Sequence, residues 1–151
     1  MKKFEFSLGR MLDYRQSLLE KEKNTLMQLF AKRNSIEDEI EENEGQRRET
    51  AEELRALTEK GTTITEIQRL NYRLEAIRRR AKRLIQDMQD TELAIEEQRE
   101  VVTESSQTVK SLELLRDNQR EEYDYASRKE EEERIAELIS SKIAREMQGN
   151  N

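Results

Sequence analysis

The 151-residue sequence predicts an all-α fold of two long helices forming an antiparallel coiled-coil hairpin, with the second helix overhanging the first. Three observations predict it. Apolar residues recur every three and four positions over most of the chain, the period of a left-handed coiled-coil seam. One short stretch, EKGTTITE at Glu59–Glu66, carries both a helix stop and a helix start. The composition is 41% charged and 33% hydrophobic, with no Pro. That suits helices burying one narrow stripe and leaves too little apolar material for a globular core.

Helix one is expected over about residues 4–60. Steps of four and three from Leu8 land on Leu8, Leu12, Arg15, Leu19, Glu22, Leu26, Leu29, Arg33, Ile36, Ile40, Asn43, Arg47, Thr50, Leu54 and Leu57; nine of these fifteen are Leu or Ile, enough to set a seam. Met11, Leu18, Met27 and Phe30 are expected to widen the stripe. The polar positions Arg15, Glu22, Arg33, Asn43 and Arg47 weaken it, and are read as specifying register. Gly45 interrupts the pattern without capping residues after it and reads as a soft spot inside the helix.

The turn is expected at about residues 61–63. Gly61 suits the left-handed position just past a helix end, where a side chain would clash. Thr63 and Glu66 have the spacing of a capping box, in which the Thr hydroxyl accepts from the backbone of residue 66.

Helix two is expected over about 64–147. Its stripe runs Ile67, Leu70, Leu74, Ile77, Ala81, Leu84, Met88, Thr91, Ile95, Gln98, Val102, Ser105, Val109, Leu112, Arg116, Gln119, Tyr123 and Ala126. After SRKEEEER a shorter pattern follows: Ile135, Leu138, Ile139, Ile143, Met147. Setting Leu57 beside Ile67 places Asn43 opposite Ala81 and Phe4 near Arg120. The same register brings the acidic run Glu37–Glu44 near the basic run Arg78–Arg83. Roughly 27 residues of helix two then overhang, ~40 Å at 1.5 Å per residue.

Catalysis is not expected from the residue types. With no His and no Cys there is no ordinary nucleophile–base pair, no thiolate metal site and no disulfide, and no Gly-rich phosphate loop is present. No metal and no cofactor is expected. The net charge of −6 gives no overall attraction to nucleic acid or anionic lipid. RRRAKR at Arg78–Arg83 has no interleaved aromatic residues and reads as a face opposite acid, not as a nucleic-acid site. No stretch approaches the ~20 apolar residues that span a bilayer, and MKKFEFSLGR lacks the apolar run of a signal peptide. A cytoplasmic protein is expected. The aromatic residues Phe30 and Tyr123 read as seam residues, while Phe4 and Phe6 either close the open end of the hairpin or anchor a partner.

Three segments carry a resemblance to a known family. FEFSLGRMLDYRQSLLEKEKNTL, GTTITEIQRLNYRLEAI and VKSLELLRDNQREEYDYASRKEEEERIAELISSKIAR resemble, in order and spacing, the N-terminal, middle and C-terminal segments of the bacterial flagellar export protein FliJ. The resemblance implies a non-catalytic stalk like the gamma subunit of rotary ATPases. Its ends would enter the central hole of the hexameric flagellar export ATPase and promote ring assembly and activity. It also implies contact with the cytoplasmic domain of the membrane export gate and with empty export chaperones, and a place at the inner face of the cell membrane at the flagellar base. On that footing Phe4, Phe6, Leu8, Tyr123, Ile135, Leu138, Ile139 and Ile143 are the candidate ATPase-binding residues. The sequence departs from the family at IAELISS, where an Asp-Glu pair is common. It departs again near the bend, where Glu75, Arg79 and Lys82 make a charged surface, so gate contacts are not carried over. Two other functions fit a helical hairpin: a chaperone for export substrates, and a structural coiled coil that homodimerises through its overhang.

Overall fold

The computed structural model describes residues 1–149. Two helices occupy nearly all of them: α1 (Gly9–Lys60) and α2 (Ile64–Gly149), antiparallel and joined by a three-residue turn. No strand occurs among the described residues. The turn is built as its residues dictate. Gly61 takes φ +87°, the left-handed region that a Cβ disfavours. The Thr63 hydroxyl accepts from the Glu66 amide at 3.3 Å, and the Ile67 amide donates to the Thr63 carbonyl at 3.2 Å. The reciprocal arm of the capping box is not made: the Glu66 carboxylate accepts from Arg69 instead, and the same guanidinium reaches Glu53 on α1 at 3.7 Å.

Helix α1 begins at Gly9 rather than near residue 4. Residues 1–6 lie in neither helix nor strand, with Phe4 and Phe6 half-buried and Glu5 exposed between them. That two-residue alternation belongs to an extended segment with one covered side, not to a helix.

Tertiary contacts divide the chain into two regions. In the region Glu20–Thr103, Ile36, Leu70, Ile77, Leu84 and Ile95 are buried and Leu70 is wholly inaccessible. Full burial of one such side chain is worth about 1.5–3 kcal/mol. Two side chains cross between the helices to backbone carbonyls: Asn43 Nδ2 donates to Ile77 O at 3.0 Å, and Gln98 Nε2 to Glu22 O at 3.0 Å. Asn43 therefore reaches one turn short of Ala81, its expected partner. Part of that offset is geometric, because a helical carbonyl points along the axis towards the C-terminus and lies beyond its own Cα.

In the region made of Met1–Leu19 and the chain from Glu104 on, Leu12, Leu19 and Val109 are the buried apolar residues. Gln16 Nε2 donates to Glu113 at 3.3 Å. Phe4 lies on Arg120 at 5.1 Å, as the register predicts.

Along α2, every stripe position from Ile67 to Tyr123 is buried or half-buried, and only Ala126 is exposed. Along α1, four expectations fail. Leu8 and Arg47 are exposed, and Met11 and Met27, meant to widen the stripe, are 48% and 67% exposed. A two-helix seam has nothing above it to cover a wide stripe, so flanking positions face water. The acidic and basic runs form no ion pair with each other within 4 Å among the described residues. Their side chains sit at flanking, solvated positions, where a pair contributes only ~0–1 kcal/mol. Phe30 is half-buried, with two guanidiniums over its ring, Arg33 at 5.2 Å and Arg99 at 5.4 Å.

A direct check of the pairing uses the cysteine-free background. With Glu53→Cys and Arg69→Cys, a short bismaleimide should join the two positions within one chain. Crosslinked dimers without intramolecular product would contradict the hairpin.

Candidate interaction site on the uncovered part of helix two

The site is assembled within the region formed by Met1–Leu19 and the chain from Glu104 on. Residues 1–6 run along α2 past the start of α1. The Tyr123 hydroxyl donates to the Lys2 carbonyl. The Phe4 and Tyr123 rings meet at 5.5 Å between centroids, inclined at 52°, within the tilted range that aromatic pairs favour. The Met1 amine lies 3.6 Å from the Glu130 carboxylate. The extended segment thus carries contact along α2 as far as Glu130. The overhang begins later than the position near Arg120 that a helical start at residue 4 implied. An extended chain advances about 3.3 Å per residue, against 1.5 Å for a helix, so a few residues reach further.

From Arg128 to Gly149 every residue of α2 is exposed. Ile135, Leu138, Ile139 and Ile143 lie in this part, with exposures between 48% and 63%, and Met147 continues the row. Spacings of three and four put them on one helical face. Their base is acidic: Glu130, Glu131, Glu132 and Glu133 precede Arg134, and Arg134 pairs with Glu131 one turn back. Lys142 and Arg145 flank the far end of the row.

The candidate residues accordingly fall into two groups. Phe4 and Tyr123 come together at the base with Arg120, the residue that the register sets near Phe4, and Phe6 is half-buried in the same N-terminal segment. Ile135, Leu138, Ile139 and Ile143 form the exposed row. Leu8 is 36% exposed, in the turn before α1. The sequence signal for the extended cluster was the Phe-Glu-Phe alternation itself. At the bend, Gly61, Thr63 and Glu66 form the turn described above. The surface there is not wholly charged, since Ile64 and Tyr72 are 75% and 71% exposed.

No cluster of acidic side chains able to hold a metal ion occurs among the described residues. No helix is long and apolar enough to cross a membrane among them. The resolved charge perturbations are exposed ion pairs: the Arg47 guanidinium, hydrogen-bonded to Glu44, holds that carboxyl below its usual range, and Glu66 raises Arg69 in the same way.

The geometry defines a coiled-coil hairpin protein with an uncovered apolar helical face on α2. The family model for the flagellar FliJ protein matches residues 4–148. The chain belongs to that family of non-enzymatic flagellar components, with a role in flagellar protein export. No curated protein and no solved structure matches it significantly.

Proposed function

We propose that the protein is the non-catalytic stalk of the flagellar type III export ATPase. The uncovered row on α2 enters the central hole of the hexameric ring, with the Phe4, Phe6 and Tyr123 cluster at its base, and promotes ring assembly and turnover. The protein also links the ring to the cytoplasmic domain of the export gate and to empty export chaperones. The protein then sits in the cytoplasm, peripherally at the inner face of the cell membrane beneath the flagellum. The observation that carries this reading is the apolar face Ile135, Leu138, Ile139 and Ile143, exposed beyond the reach of the paired segment, in a chain of the FliJ family. A contiguous exposed apolar face on a soluble helix marks an interface. An asymmetric rod inside a symmetric ring touches each subunit differently, so it biases their nucleotide states through differential contacts.

The test is reconstitution. Alone, the chain should hydrolyse no ATP, having no phosphate-binding loop. Added to its cognate export ATPase, it should raise both turnover and the fraction of hexameric rings. An unchanged rate with unchanged assembly would refute the stalk role, and a chaperone role would instead show as suppressed aggregation of unfolded export substrates.

A further inference from the structure

Between Ile40 and Leu54, α1 brings no large apolar side chain to the seam. The intervening run is EENEGQRRETAEE, whose one aliphatic side chain is Ala51. Its stripe positions are Asn43, Arg47 and Thr50. Asn43 and Thr50 are buried, yet Asn43 Oδ1 and Thr50 Oγ1 have no hydrogen-bond partner. Arg47 has left the seam and pairs outside it with Glu44 at 2.6 Å. A partly open cavity of about 250 Å³ lies at this level, between Asn43, Ala51, Leu74, Ile77 and Ala81 on its apolar side and the charged side chains of Glu44, Arg47 and Arg78 at its rim. One hydrogen bond crosses between the helices at this level, from Asn43 Nδ2 to Ile77 O.

We propose that this level is a hinge built into the hairpin. The bend end, residues 44–77, detaches and recloses as a unit while the pairing around Ile36, Leu84 and Ile95 persists, and the Asn43–Ile77 hydrogen bond is the latch. Apolar contact is what holds two such helices together, and here α1 interrupts it for more than three turns. Opening exposes Asn43 Oδ1 and Thr50 Oγ1, which no protein group pairs in the closed form, to bulk solvent. The cavity has room and polar lining for water, so it is the point at which solvent enters first. Gly45, mid-helix and without a Cβ, loosens α1 at the same level. Within the detaching end the apolar seam residues are Leu54 and Leu57 on α1 and Ile67, Leu70, Leu74 and Ile77 on α2, the last two beside the polar stretch of α1. Local opening of this kind is a sub-global event with its own stability, distinct from whole-molecule unfolding.

Native-state hydrogen exchange on the full chain, read by mass spectrometry, tests the hinge. Amides in residues 46–58 and 66–76 should exchange at least tenfold faster than those in 26–36 and 84–95, and at one common rate. Asn43→Ala, which removes the latch, should accelerate only the first set. Asn43→Leu with Thr50→Leu, which fills the layer, should slow that set at least tenfold. Equal protection on both sides of the layer would overturn the proposal. So would rates that fall smoothly away from Gly61, which is the pattern of simple fraying at the bend, or equal acceleration of both sets by Asn43→Ala.

Discussion

Replacing Ile135 and Ile139 together by Asp should abolish the proposed stimulation of the cognate export ATPase and leave the two-helix fold intact. Both halves of that result follow from exposure. The two side chains lie 48% and 55% exposed on a part of α2 where every residue faces water, so the substitution breaks no internal packing. Surface changes of this kind usually fall within about ±0.5 kcal/mol. Helix propensity falls by a few tenths of a kcal/mol per residue on going from Ile to Asp, a small term in a helix of 86 residues. At an interface the balance reverses. Burying a carboxylate against an apolar partner without a counter-charge is prohibitive, and the new charges add to the four glutamates at the base of the row. Turnover in the mixture, ring formation by sedimentation, and helicity with thermal melting by circular dichroism are the readouts. Full stimulation by the variant would place the ring contact elsewhere on the chain. Loss of the melting transition would show that the row packs as core.

Leu84→Ala should lower the unfolding free energy by about 2–5 kcal/mol, the range for a buried Leu→Ala change. Leu93→Ala, nine residues on, should change it by less than about 0.5 kcal/mol. The pair differs in burial and in little else: Leu84 is 5% exposed in the seam and Leu93 is 62% exposed outside it. A two-helix seam relaxes more readily into a cavity than a globular core does, which places Leu84→Ala towards the lower half of the range. Chemical denaturation followed at a helical wavelength gives both values from the shift in midpoint at constant slope. Equal effects would mean that the stripe does not carry the pairing.

These contrasts show where the residues alone were sufficient. Heptad spacing picked out the buried positions of α2 from Ile67 to Tyr123 because a helix repeats its face by geometry alone, whatever lies opposite. The bend was legible for an equally local reason. Gly61 supplies the backbone conformation that the turn needs, and Thr63 caps the amide three residues on. The uncovered row on α2 followed from counting residues either side of that turn. Its role as a binding face rests on the family the chain belongs to, and the ATPase experiments above are what test it.

Other features were settled only by tertiary packing. Arg47 occupies a heptad position, and a periodic pattern assigns it to the seam. It lies outside because a guanidinium reaches water and the Glu44 carboxylate with one rotation, whereas in the seam its charge would be desolvated. Met11 and Met27 were apolar and near the stripe, but two helices alone have no third surface to cover them. Phe4 and Phe6 carried the alternation of an extended segment. Where that segment runs depended on Tyr123 and Arg120, more than a hundred residues away, and on the carbonyl of Lys2 that no side-chain pattern encodes. The cavity beside Asn43 likewise belongs to no single helix. Periodicity says which side chains turn inward, and only the opposing helix decides whether what it finds there is filled, hydrogen-bonded or empty.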